Sequence, residues 1–218
     1  MTDGTAILGL QRMTLREQAI VALRQAITTG ELAPGAHVSE VEMSTRLGIS
    51  RGTLREAMRV LQNEGLLTAS SRGRLLVRQM SQRELLDLFK VRAALEALAA
   101  RTVAEGDDLD TAADALRAAV DGMARAEGPP WEPRMHADMD FHRTLCALSG
   151  NETLIRAWEA LAGSIQMSIV ASGVERAVTN MDVDRHLEIV DAVASGDGDR
   201  AAASVVEHMD RAVHVLTD

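Results

Sequence analysis

At 218 residues the chain is long enough for one large domain or two small ones. Hydrophobic residues at 46% and charged residues at 25% exclude a mainly disordered chain. Only 2% aromatics, no Tyr, and an excess of Ala, Leu, Arg and Glu exclude an all-β fold. Cys146 stands alone, which excludes an internal disulfide and a cysteine-based zinc finger.

No apolar run approaches the roughly 18 residues a membrane span needs, and Met1 to Leu10 lacks a basic start, so a cytoplasmic protein with no membrane partner is expected. The net charge of −9 is unevenly spread. Residues 1–80 hold 10 Arg, no Lys and 7 acids, while residues 81–218 hold 13 basic residues against 25 acids. A basic head on an acidic body lets one region meet phosphates while the other repels them.

After an expected flexible tail over residues 1–11, the head spans 12–80. Leu15, Ile20, Leu23 and Ile27 form a helical stripe from about Thr14 to Thr28, closed by Gly30 and the turn Leu32-Ala33-Pro34-Gly35. Ser39 N-caps a short helix that Gly48 stops. Ser50 caps a third helix reaching about Glu64, with Leu54, Met58 and Leu61 on its inner side. This is helix-turn-helix spacing, and Arg51, Arg55 and Arg59 recur every four residues along the third helix. The opening turns of that helix are the part that meets base edges and phosphates in this motif, so Arg51 and Arg55 are placed for DNA. Arg59 reads equally well as a solvated helix face. Residues 65–70 and 75–78 read as two short strands around the basic tip Ser71-Arg72-Gly73-Arg74, a wing.

These residues resemble the winged helix-turn-helix of the GntR family of bacterial transcription regulators. The likeness rests on Glu31-Leu-Ala-Pro-Gly, Ser39-Glu40, Leu47-Gly-Ile-Ser-Arg51, Leu54-Arg55-Glu56-Ala57, Glu64-Gly65-Leu66 and Arg72-Gly73. The resemblance implies double-stranded operator DNA as partner, contacted by Arg51, Thr53, Arg55, Arg72 and Gly73. Val41 stands where better-known members carry a basic residue.

The body spans 81–218. Ser81 and Glu84 form a capping box for a helix to about Glu105. Further helices are expected at about 109–126, 131–148, 152–171, 179–194 and 198–216, giving an all-α antiparallel bundle of about six helices. The fold class is therefore mainly α, a winged head followed by a helical bundle.

Asp138 and His142, four apart, share one helix face, as two ligands of one metal ion do. His186 precedes the Gly196 turn by ten residues and His208 follows it by twelve, so on an antiparallel hairpin they reach nearly one height. Three imidazoles and a carboxylate suit a divalent ion, Zn²⁺ first, with Ni²⁺ or Mn²⁺ open. Buried histidines bonded to neighbouring carboxylates are the other reading of the same set. His136 and His214 sit about 240° round their helices from the proposed ligands and get no role.

The body in turn resembles the FCD ligand-sensing domain of the FadR subfamily, in its VanR-like branch. Leu88-Phe-Lys-Val-Arg92-Ala-Ala-Leu-Glu96, Asp138-Met-Asp-Phe-His142-Arg143, Ser149-Gly-Asn151 and the two later histidines carry the likeness. It implies a metal held by Asp138, His142, His186 and His208, a small carboxylate effector docking on it, and a homodimer. Arg92, where the family has a cavity-facing arginine, is read as an effector contact or as the ion-pair partner of Glu96 one turn away. The reading is of a ligand-responsive regulator and not an enzyme. A metal-dependent hydrolase, or an acyl-CoA-type sensor without metal, is the alternative.

Overall fold

The computed structural model describes residues 13–217, so the tail expected over residues 1–11 lies outside the described residues. Thr14 opens helix α1 (Leu15–Thr28) through a capping box, its side chain accepting from the Glu17 backbone while the Glu17 carboxylate accepts from the Thr14 amide. Ser39 caps α2 (Glu40–Leu47). Gly48 ends it in the left-handed conformation at φ 64°, where a side chain would be strained. Two residues later the Ser50 hydroxyl accepts from the Thr53 amide and starts α3 (Arg51–Asn63). Strands β1 (Leu67–Ala69) and β2 (Leu75–Val77) pair antiparallel, Leu67 opposite Val77, and His37 adds an isolated bridge to Leu76. The wing is therefore formed as the sequence suggests. Ile27, Leu54, Leu61, Leu66 and Val77 are fully buried beneath it.

The body holds α4 (Gln82–Ala104), α5 (Leu109–Arg125), α6 (Glu132–Leu148), α7 (Glu152–Ser172), α8 (Val174–Asn180), α9 (Val183–Ala194) and α10 (Gly198–Thr217). The helix expected over 179–194 is in fact two. The Asp182 carboxylate accepts from the Asp184 and Arg185 amides to begin α9, and the Arg134 guanidinium donates to the Met181 carbonyl that α8 leaves free. One short helix is thereby added to the six expected. The apolar stripes of α4, α6, α7, α9 and α10 close on one core that includes Phe89, Phe141, Trp158, Ile189 and Val205.

Head and body meet along α7. Met167 of α7 is buried in the head core, and Arg78 Nη1 donates to Ser164 Oγ at 3.2 Å. Gly163 lies so close to the end of α3 that a Cβ there would fall 1.7 Å from the Glu64 carbonyl oxygen. Only glycine fits that approach.

Candidate metal centre and nucleic-acid interface

Burial of the histidines follows from where the helices turn their apolar stripes. Asp138 and His142 share the inner face of α6, and α9 and α10 bring His186 and His208 to it. All four are at most 2% exposed. Ligand nitrogens of His142, His186 and His208 all lie within 4.8 Å of one another. Phe141 meets the His142 and His186 rings edge-on, with centroids 5.2 and 4.9 Å away, and fixes their tilt.

The outer nitrogen of two rings is pinned. His142 Nδ1 lies 2.7 Å from Glu96 Oε2, and His186 Nδ1 lies 2.7 Å from the Asp182 carbonyl oxygen. An ionised carboxylate and a carbonyl only accept, so both protons belong on Nδ1 and the Nε2 lone pairs point inward. The two Nε2 atoms are 3.3 Å apart, and Asp138 Oδ1 is 3.2 Å from His186 Nε2. Acceptors thus face one another with no hydrogen between them while both rings are neutral.

This arrangement of acceptors calls for a cation between them. Two nitrogens at about 2.05 Å from one tetrahedral ion would be about 3.3 Å apart, so the donor set fits a divalent metal. An added proton is the competing cation, and the surroundings oppose it at two of the three rings. Burial holds His142 below its ordinary range despite Glu96. Burial, with His186 and His142 adding to it, holds His208 well below. His208 Nδ1 is buried without a hydrogen-bond partner among the described residues.

The carboxylates behave oppositely. Burial pushes Glu96 up, but the Arg92 charge and the His142 contact outweigh it and hold the group at about 2. At Asp138 burial is likewise outweighed, by the His186 contact and by the His142, His186 and Arg92 charges, leaving about 2. Both are ionised at neutral pH. Each charge is therefore available to a bound cation or to an imidazole facing it.

Glu96 takes three bonds. Its Oε1 accepts from Arg92 Nε at 2.8 Å and Trp158 Nε1 at 2.7 Å, while Oε2 faces His142. Sequence reasoning named Glu96 only as a partner for Arg92 and gave Trp158 no part. Arg92 is 2% exposed and does pair with Glu96, yet its Nη2 has no partner among the described residues. One edge of the guanidinium is used and one is open. Cys146, one turn beyond His142, is buried, and burial pushes its thiol up.

On the head, Arg51 and Arg55 are exposed on the first turns of α3, and Arg72 and Gly73 are exposed at the wing tip, with Gly73 at φ 72°. Thr53 is half-buried, its hydroxyl 2.9 Å from that of Ser50. Arg55 Nε donates to Glu40 Oε2 at 2.7 Å, so α2 holds the side chain that α3 presents. Arg59 pairs with Glu56 on its own helix.

A winged helix-turn-helix joined to a helical domain with a buried histidine cluster is the build of a bacterial transcription regulator. Residues 15–77 match the bacterial regulatory proteins of the gntR family, and residues 87–211 match the FCD domain. The chain belongs to the GntR family and carries an FCD domain, as the sequence motifs indicate. It is 31% identical over 201 residues to the probable D-xylose utilization operon transcriptional repressor of Paenarthrobacter nicotinovorans, covering 92% of this chain and 88% of that protein. It is 28% identical over 181 residues to the Nta operon transcriptional regulator of Aminobacter aminovorans, covering 82% of this chain and 83% of that one. Its fold is similar to that of a GntR transcriptional regulator from Rhodococcus sp. RHA1, with a TM-score of 0.77 and 23% identity over 92% of this chain and 96% of that one. E. coli McbR/YncC is similar with a TM-score of 0.74 and 18% identity, covering 94% of this chain and 98% of that one. The family and these relatives are transcription regulators, not enzymes. No helix among the described residues is long and apolar enough to cross a membrane.

Proposed function

We propose that this regulator binds operator DNA as a homodimer and responds to a small organic acid at a metal centre in its FCD domain, in the manner of the FadR subfamily. The observation that carries the reading is the set of inward-facing Nε2 atoms of His142 and His186 beside the Asp138 carboxylate, pinned by partners that only accept. Asp138, His142, His186 and His208 hold the ion, Zn²⁺ first by ligand type, with Ni²⁺ or Mn²⁺ admitted by the same donors. A bound ion supplies an electrophilic position that a carboxylate can fill. Arg92 keeps Nε on Glu96 and offers its free Nη2 to a second anionic or hydroxyl group of the acid.

On the DNA side, Arg51, Thr53, Arg55, Arg72 and Gly73 form the contact surface. One short recognition helix reads few base pairs, so a two-fold pair of heads on an inverted repeat is needed for specificity. The two ends of the molecule are connected by α7, which carries Trp158 on Glu96 at one level and Gly163, Ser164 and Met167 against the head further along. A ligand that favours one position of α7 moves the head by its difference in affinity between the two positions.

Calorimetric titration of hydroxy acids, sugar acids and dicarboxylates onto the protein, with and without Zn²⁺, tests the reading. A ligand whose binding needs the metal and is lost in Arg92→Ala supports it. Binding that is identical with and without metal contradicts it.

A further inference from the structure

Helix α1 of the head and the start of α6 in the body line a cleft of about 540 Å³ between them. Val21 and Arg24 stand on the head wall, and Pro130, Glu132, Pro133 and His136 on the body wall. The volume is that of a small-molecule site. Val21 is a large apolar side chain left 47% exposed there, and the two prolines add apolar surface opposite it. Two polar groups of the cleft are not fully used. Arg24 gives Nε and Nη2 to Glu64, at 3.2 and 2.8 Å, and its Nη1 makes no hydrogen bond among the described residues. Glu132 Oε2 is buried with no hydrogen-bond partner among the described residues, a costly state for a carboxylate oxygen. The terminal torsion of a glutamate is soft, so a small turn presents that oxygen to a donor in the cleft. His136, which is not one of the three clustered histidines, stands one turn beyond Glu132 on the same wall.

We infer that this cleft is a second ligand site, separate from the candidate metal centre, and that it takes an amino acid with an apolar side chain. The ammonium of the ligand donates to Glu132, its carboxylate accepts from Arg24, and its side chain covers Val21, Pro130 and Pro133. An acceptor on one wall and a donor on the other select a zwitterion. An acid without the amine would leave Glu132 unpaired beside a second anion, and an amine without the acid would leave Arg24 Nη1 unused. Because head and body each supply one wall, the ligand binds fully only where the two hold this spacing. Arg24 carries the effect to the joint between them. The same guanidinium holds Glu64, whose carbonyl oxygen lies where a Cβ on Gly163 of α7 would fall 1.7 Å away. Occupancy of the cleft therefore favours one position of the head on the body, by a route that needs neither the histidine cluster nor Glu96.

Calorimetric titration of the full chain, freed of metal, with phenylalanine, phenethylamine and phenylpropionate tests this. Phenylalanine is expected to bind once per chain with a dissociation constant of about 1 mM or tighter, and each analogue, lacking one charged group, about tenfold more weakly. Glu132→Gln keeps the shape of the side chain and removes the carboxylate, while Val21→Trp, at an exposed position, fills the cleft. Each is expected to weaken phenylalanine binding by about tenfold or more, with unchanged helical circular dichroism verifying its fold. His186→Ala/His208→Ala is expected to leave that binding unchanged. Amide hydrogen exchange in α1 should slow when phenylalanine is added to wild type and not when it is added to Glu132→Gln. No binding of phenylalanine at about 10 mM would overturn the proposal, as would either analogue binding as tightly as phenylalanine. Binding that survives both cleft variants, or that is lost with the two histidines, would overturn it as well. None of these results bears on the metal-centre reading, because the titrations use metal-free protein.

Discussion

The indole of Trp158 donates a 2.7 Å hydrogen bond to the carboxylate of Glu96, 62 residues earlier in the chain, and both groups are fully buried. That bond ties α7 to α4 at the level of the histidine cluster. Glu96 spends its other oxygen on His142, so one carboxylate fixes a candidate ligand, an arginine and the helix that reaches the head.

Glu96→Gln removes the charge that offsets buried Arg92 and exchanges an obligate acceptor for an amide beside His142. Breaking a buried ion pair costs about 3–5 kcal/mol, so a large drop in thermal midpoint is expected by calorimetry. Metal affinity should fall by about 10–100-fold, the usual effect of losing the group that orients a ligating histidine. Trp158→Phe keeps most of the volume and deletes only the donor. It should cost about 1.5–3 kcal/mol in denaturant unfolding.

Two glycines give opposite expectations. Gly163→Ala places a methyl 1.7 Å from the Glu64 carbonyl oxygen, which forces α7 and the head apart. A destabilisation of about 1–3 kcal/mol is expected, with faster proteolysis in the head. Gly122 sits inside α5, where an added Cβ meets only Arg125 Nη2 at 3.8 Å. Gly122→Ala should stabilise by up to about 1 kcal/mol in the same unfolding assay.

The Cys146 thiol is buried and pushed up by that burial, with the Glu96 charge adding to it. A thiol held above its ordinary range is protonated throughout neutral pH and offers no thiolate to alkylating reagents. Native protein should resist iodoacetamide at pH 8 and react with one equivalent only after denaturation. Labelling of folded protein at the rate of a free thiol would contradict the packing of α6.

Arg55→Ala should weaken operator binding by about 1–3 kcal/mol and relax sequence preference, as loss of a bidentate base contact does. Arg59→Ala removes a side chain at the C-terminal end of the same stripe, already paired with Glu56, and should leave sequence preference unchanged. Fluorescence anisotropy on DNA from upstream of the gene, over a range of salt, separates the two.

The head was legible because its signals are local. Thr14, Ser39 and Ser50 cap helices within three residues of themselves, and Gly48 turns the chain at once. Asp138, His142, His186 and His208 were legible through helical spacing and the heights of a hairpin. The break between α8 and α9 was not, because Arg134 stabilises it from 47 residues away. Nor was the second role of Glu96, whose bonds to His142 and Trp158 span 46 and 62 residues. Spacing predicts which face a residue takes, while the partner that fixes its proton comes from packing.

Elemental analysis of protein purified without a chelating tag tests the metal centre most directly. The account predicts close to one divalent ion per chain in the wild type and none in His186→Ala/His208→Ala, with folding of the double variant checked by circular dichroism. Metal-free wild type that takes up no Zn²⁺, Ni²⁺ or Mn²⁺ on dialysis, or full occupancy in the double variant, would contradict it.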